Sequence, residues 1–284
     1  MAKLPNLEGF EKTEVIVQRG HNSEYVHALT NTGIVPVLVE AMEELESAIT
    51  SKTAMMFFLN EATHEGKIMH KEWIEVAKRR QIPTLIDIAA DVPPVTNLWK
   101  FTDMGFDLAS ISGGKALRGP QSAGILMGKK ELIEAARMSG FPNEYTIGRG
   151  MKVNKEEILG MYVALDTYVH QDHEREWQAW EDQVAVIVKA VSKVNGVKAE
   201  VHVPEIANHT PAIKITWDDA LVKATPREIG SKLRAGNPSI EVMASGRGNV
   251  SALNLTVFML RPGEEKIVAR RLYEELSRAQ NVTG

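Results

Sequence analysis

Two residues have the types and the setting for joint chemistry. They are Lys115, in SISGGKALRGPQSAG (110–124), and Asp87, in PTLIDIAAD (83–91). Each follows an apolar run that reads as a buried strand, Leu108 to Ile111 for the lysine and Leu85-Ile86 for the acid. A third such run, in EVIVQRGHNSEY (14–25), ends at His21. In an open α/β sheet, ligands sit at the carboxyl ends of the strands. A lysine, an acid and a flat ring would then meet at one rim. A carboxylate based among Leu85 and Ile86 needs a cationic or hydrogen-bonding partner.

Pyridoxal phosphate (PLP) chemistry uses this set of groups. A lysine holds the cofactor as a Schiff base, an acid keeps the pyridine nitrogen protonated, and a flat side chain packs on the ring. Ser112 has a hydroxyl for the phosphate, while Gly113 and Gly114 leave room and free N–H groups. Each residue also has a plainer reading. Lys115 could be solvated, Asp87 a turn or cap residue, His21 structural and Ser112 a turn former, and Asp91 is a rival acid for the ring. GGKALRG is not a phosphate-binding P-loop, because the GxxxxGK[ST] order is absent.

The elements around these residues alternate in type. Strands are expected at 13–19, 35–40, 53–60, 83–89 and 107–112, and helices at 23–33, 42–50 and 70–81. The βαβα order and the continuous apolar strands predict a parallel sheet covered on both faces. From 155 to 194 the sequence reads as a long helical stretch. Beyond it the pattern is α+β, with strands near 198–203, 211–217, 239–243 and 252–259 and helices near 226–235 and 263–279. Residues 1–154 then form the large domain, 155–194 the connection and 195–284 a small α+β domain.

Composition narrows the function. The 284 residues contain no cysteine, which excludes disulfides, thiolate nucleophiles and Cys-based metal sites. A net charge of −4 without a long basic tract argues against nucleic acid or an anionic membrane as partner. No apolar run approaches the ~20 residues of a membrane span, and MAKLPNLEGFEK lacks the apolar core of a signal peptide. The expected location is the cytosol.

The segment SGGKALRGPQSAGILMG resembles the lysine segment of the selenocysteine synthase-like branch of fold type I PLP enzymes. Within that branch it is most similar to the D-glucosaminate-6-phosphate ammonia-lyase group. PTLIDIAADVPP, EVIVQRGHNSEY and IGRGMKVNKEEILGMYVAL look like this group too, and LRPGEEKIVARRL does so more weakly. The resemblance implies the aspartate aminotransferase-like PLP-dependent transferase fold: a mostly parallel large domain plus a small C-terminal α+β domain. It implies PLP as cofactor and no metal. Lys115 becomes the Schiff-base lysine and Asp87 the partner of the ring nitrogen. His21 takes the ring-stacking place, Ser112 contacts the phosphate, and Gln121, with Gly119 and Pro120, reaches a neighbour's cofactor. The assembly implied is a homodimer or larger homo-oligomer.

The implied reaction is loss of ammonia from a phosphorylated amino-sugar acid by α,β-elimination, giving a 2-keto-3-deoxy sugar acid. Such a substrate needs cations for its carboxylate and phosphate. Arg118, Arg149, Lys152 and Arg247 are the candidates, with an ordinary surface role as the other reading of Arg118 and Lys152. The mildly acidic chain disfavours a tRNA substrate. Other PLP lyases, aldolases, racemases or selenium transferase-like enzymes acting on a small amino acid would use the same lysine and acid. Members of the group carry a segment before this chain's first residue, with a turn and helix N-terminus that help to bind the phosphate. A truncated, non-catalytic PLP-fold protein is therefore a further alternative.

Overall fold

The computed structural model describes residues 3–244 and 252–280. Apolar residues at both odd and even positions of the early strands need cover on both faces. Strand β1 (Glu14–Gln18) sends Ile16 into one core and Val15 and Val17 into another. Strand β3 (Thr53–Leu59) does the same with Met56 and Phe58 against Phe57 and Leu59. Ile16 and Phe58 are fully enclosed, which contributes about 1.5–3 kcal/mol for each such side chain.

Strands β2 (Val35–Val39), β4 (Thr84–Asp87), β5 (Leu108–Ser112) and β6 (Gly124–Gly128) complete a six-stranded sheet of order β2-β1-β3-β4-β5-β6. Pairing is parallel from β2 through β5. The chain runs outward from β1 to β2 and then returns past β1 to β3 and beyond. The strand order therefore reverses between β1 and β3, where open α/β sheets leave a crevice. Strand β6 departs from the parallel pattern and pairs antiparallel with β5. Only 11 residues join the two strands (113–123), and no helix lies between them, so the connection is too short for a parallel crossover.

Helices α1 (His27–Thr30), α2 (Met42–Ala48), α3 (His70–Arg80) and α4 (Asn97–Met104) join the parallel strands. Helix α3 shows how the sequence sets such an element. Trp73, Ile74, Val76 and Ala77 bury one face, Lys78, Arg79 and Arg80 suit the carbonyl end of the helix dipole, and Gln81 ends it in a left-handed conformation (φ 55°). The segment expected as a helix over 23–33 is a 3₁₀ turn, Glu24–Val26, running into α1.

Helix α5 (Lys130–Met138) follows β6, then α6 (Lys155–His170) and α7 (His173–Val191). The expected stretch 155–194 is thus two helices. Asp172 breaks it, because its carboxylate accepts the Arg175 N–H (3.0 Å) and starts α7 as an N-cap. The compact units divide at that point. One comprises residues 1–171 with 206–208, and the other 172–205 with 209–284.

The second unit carries an antiparallel sheet of β7 (Val197–His202), β8 (Ala212–Trp217) and β9 (Leu253–Thr256), with helices α8 (Pro226–Arg234) and α9 (Glu264–Gln280). The strand expected near 239–243 reduces to one bridge, Met243 with Asn254. The Ile240 N–H goes instead to the Leu233 carbonyl at the end of α8 (3.1 Å). Among the described residues no helix is long and apolar enough to cross a membrane.

Gly128 closes β6 at φ 138°, a conformation that L side chains rarely adopt, and a Cβ there would overlap the Asp107 carbonyl oxygen. Gly128→Ala is expected to lower the unfolding free energy by about 2 kcal/mol or more, measured by urea denaturation.

Candidate active site

Parallel pairing of β4 with β5 sets Asp87 opposite Ser110, so the end of β4 lies beside the loop that carries Lys115. Asp87 sits between Ile86 and Ile88, both fully buried. One carboxylate oxygen accepts the Ala89 N–H at 2.9 Å. Burial pushes the Asp87 carboxyl above the usual carboxylate range, while the Ala89 N–H and the charge of Lys115 pull it back. Lys115 is half-buried. Its ammonium makes no hydrogen bond or ion pair among the described residues, although it acts electrostatically on Asp87. The two groups line one narrow cavity of ≈ 20 Å³ with Tyr25, Leu59, Glu61, Ala89, Ala90 and Asp91.

The lysine loop is held by its own backbone. The Gly113 N–H donates to the Ala123 carbonyl (2.9 Å), the Gly119 N–H to the Gly113 carbonyl (2.8 Å) and the Arg118 N–H to the Lys115 carbonyl (2.8 Å). The two glycines before Lys115 serve packing within the chain. A Cβ on Gly113 would meet Met161 of α6 and the Ala123 carbonyl oxygen (2.7 Å), and one on Gly114 would meet the Gln121 amide (2.6 Å). Gln121 therefore lies against the lysine loop. Ser112 ends β5, paired with Gly124. Helix α6 secures the far side of the loop through Glu157, which bonds the Ser122 hydroxyl.

His21, the residue expected to stack on the ring, is enclosed in the protein. It is 0% exposed and its ring meets Phe58 edge to face (4.5 Å, 82°). Its Nδ1 accepts the Leu59 N–H (3.3 Å), and the Ala62 backbone supplies a second hydrogen bond. The ring is enclosed and does not line the cavity. The aromatic side chain that does is Tyr25, 51% exposed. Asp91, the rival acid, is 3% exposed and accepts the Asn60 amide (2.6 Å) and the Ala207 N–H (3.2 Å). It is committed to the fold, whereas Asp87 spends only one short bond on its own turn.

Sequence reasoning passed over Asn60 and Glu61. The rule that picks out Asp87, a polar residue directly after a buried strand, also picks out FLNE at the end of β3.

The candidate anion-binding residues are spread out. Arg149 and Lys152 sit over the ring of Phe141, 5.1 and 5.3 Å from its centroid, on the stretch between α5 and α6. Arg118 is exposed on the lysine loop in a left-handed conformation (φ 55°). None of the three lines the narrow cavity. Arg247 lies outside the described residues.

The donor set fits a PLP ring: an amine with no hydrogen bond or ion pair among the described residues and, beside it, a half-buried acid short of positive charge. The cavity has room for about one water, so the ring would have to lie across its mouth.

The sequence profile of the Aminotransferase class-V family matches residues 15–153. The chain is 26% identical to a D-glucosaminate-6-phosphate ammonia lyase of Salmonella typhimurium (strain 14028s / SGSC 2262), over 96% of this chain and 73% of that protein. It is also 26% identical to a 5'-C-glycyluridine monooxygenase-decarboxylase of a Streptomyces species, over 96% and 69%. Among solved structures, a D-glucosaminate-6-phosphate ammonia-lyase superposes with a TM-score of 0.78 at 24% identity, over 98% of this chain and 74% of that one. A serine palmitoyltransferase from S. paucimobilis with a bound PLP–myriocin aldimine superposes with a TM-score of 0.55 at 14% identity, over 95% and 68%. The chain has the aminotransferase-like fold of these PLP enzymes.

Burial holds His21 and His70 near pKa 4, below the ordinary 6.5. The unfolded chain binds these protons near pH 6.5 and the folded chain only near 4, so stability is lost as pH falls between the two. For His21 the loss is on the order of 3 kcal/mol. The melting temperature is expected to drop over this window and to drop less in His21→Gln.

Proposed function

We propose that this chain, built on the aminotransferase-like fold, is a PLP-dependent carbon–nitrogen lyase. Its substrate in this reading is a phosphorylated amino-sugar acid of the D-glucosaminate 6-phosphate class. The observation that carries the reading is that Lys115, whose ammonium makes no hydrogen bond or ion pair among the described residues, and Asp87, short of positive charge, line one cavity at neighbouring strand ends. The likeness to ammonia lyases over nearly the whole chain supports the choice of reaction.

When bound, PLP supplies an electron-accepting ring that stabilises negative charge at the substrate's α-carbon. Lys115 would hold the cofactor's aldehyde carbon and Asp87 its ring nitrogen. The half-buried Asp87 carboxylate would hold a proton on that nitrogen and so gain the cation it is short of. Ser112, three residues before the lysine, would contact the phosphate.

The Lys115 amine would take the substrate's α-proton as general base. The resulting ammonium is the proton source for the departing β-hydroxyl, which leaves as water. The enclosed ring of His21 has both nitrogens engaged and takes no part. Water then cleaves the carbon–nitrogen bond, giving ammonia and a 2-keto-3-deoxy acid. Arg149 and Lys152, steadied by Phe141, and Arg118 are the cations for the substrate's carboxylate and phosphate.

The chain works as a homo-oligomer in this reading. Ile158, Leu159, Tyr162 and Val163 leave a run of apolar side chains exposed on α6, a surface that a second subunit would cover. A second reading, a PLP enzyme of different outcome, is favoured by the equal identity to the monooxygenase-decarboxylase.

Incubation with PLP should give a visible absorbance band, and borohydride reduction should fix the adduct on Lys115. Lys115→Ala should lose both band and turnover. Asp87→Asn should keep PLP and slow ammonia release by ~100-fold or more. Full turnover in Lys115→Ala would refute the reading. Oxygen uptake with carbon dioxide release, in place of ammonia and keto acid, would support the second one.

A further inference from the structure

Asp91 is a heavily bonded side chain on the wall of the Lys115 cavity, and the chemistry proposed above does not use it. The bonds that converge on it have a fixed direction. His70, the first residue of α3, meets Asn60 Oδ1 through Nε2 at 2.7 Å. Burial keeps His70 neutral down to about pH 4. Since Asn60 Oδ1 can only accept, Nε2 must carry the proton. Asn60 turns its amide to Asp91 Oδ1 at 2.6 Å. The same oxygen accepts the Ala207 N–H at 3.2 Å. The backbone of Asp91 is held as well: its N–H reaches the Ile88 carbonyl (3.1 Å), and its carbonyl accepts the Asn97 amide (2.7 Å).

The peptide 206–208 is bound at two points. Ala207 donates to Asp91, and the Asn208 N–H donates to the Ala90 carbonyl at 2.6 Å. Both residues are left-handed, with φ 51° and 47°. That conformation is unfavourable for the alanine, and the contacts around Asp91 hold it there. Asp91 thereby joins four stretches of the first unit: the start of α3, the turn after β3, the turn after β4 and the peptide 206–208.

The charges point the same way. Three carboxylates, Glu61, Asp87 and Asp91, line the cavity against one cation, Lys115. Asp87 and Glu61 both raise the cost of ionising Asp91, and the repulsion between Asp87 and Asp91 is mutual. A cation placed at Asp87 relieves it.

We propose that Asp91 is the positioning residue of this cavity: it ties peptide 206–208 and Asn60 to the wall that carries Asp87, and its charge strengthens the hold of Asp87 on a cationic ring nitrogen. Only the second half rests on the PLP reading above.

The test uses the full chain with Asp91→Ala and the near-isosteric Asp91→Asn. Hydrogen exchange without cofactor reads the tie. The amides of Ala207 and Asn208 should exchange at least ~10-fold faster in Asp91→Ala, and stay within ~3-fold of wild type in Asp91→Asn, whose amide oxygen still accepts. Carbon-13 NMR of labelled aspartate reads the charge, again without cofactor. The Asp87 carboxyl should titrate at lower pH in Asp91→Asn than in wild type. PLP titration of the same variant should show ~3- to 10-fold weaker binding.

Unchanged exchange in Asp91→Ala overturns the tie. An unmoved Asp87 titration in Asp91→Asn overturns the role of the charge, and this near-isosteric variant keeps that test open if Asp91→Ala does not fold. Wild-type protein that takes up no PLP would sink the PLP reading instead, while exchange and titration still decide the role of Asp91.

Discussion

A carboxylate half-buried at the end of a strand has to be answered by positive charge, and among the described residues the cation that acts on Asp87 is Lys115. Burial raises the cost of ionising Asp87, and one backbone N–H and the nearby ammonium return part of it. Lys115 in turn has no hydrogen bond or ion pair of its own among the described residues. Neither group is saturated by the other. Many structural ion pairs close with a short contact and additional hydrogen bonds. This pair stays open, which leaves both groups able to engage a third.

The sheet exists in the form that keeps the two groups together. Parallel pairing of β4 and β5 puts their carboxyl ends on one rim. The antiparallel return of β6 then turns residues 113–123 back beside that rim. Close approach holds the loop there: Gly113 admits Met161, Gly114 admits Gln121, and Gly160 of α6 receives Pro120. A larger residue at any of the three would push the loop, and Lys115 with it. Helix α6 thus shapes the lysine loop without lining the cavity.

Two relatives of equal identity carry names for different reactions, as expected where a shared scaffold supports several chemistries. The lysine and the acid belong to the part of the problem that such enzymes have in common. The residues at the mouth of the cavity and around it are of another kind: Tyr25 and Glu61 on the cavity, and Arg118, Arg149 and Lys152 beyond it. These are exposed or half-exposed positions on turns and loops, which can change without disturbing the core.

Lys115 and Asp87 are legible in the sequence because each lies at or just past the end of an apolar run, and strand ends in a parallel sheet share a rim. The strands themselves are legible for the same reason: apolar residues on both faces leave little choice but a covered parallel sheet. The antiparallel β6 departs from that expectation, since 11 residues without a helix between β5 and β6 cannot cross over. Other features depended on what stands opposite a residue in space. His21 follows its strand as Asp87 does, yet Phe58, Leu59 and Ala62 close over it, and Tyr25 takes the open position four residues on. Gly113 and Gly114 look like room for a ligand, but Met161 and Gln121, distant in sequence, fill that room. Asp91 and Asp87 are equivalent in the sequence, and only the arrival of Asn60 and Ala207 at Asp91 separates the anchor from the acid left open. Local patterning determined which residues reach the rim. Long-range packing decided which of them face the cavity, because burial and hydrogen-bond saturation are set by neighbours far away along the chain.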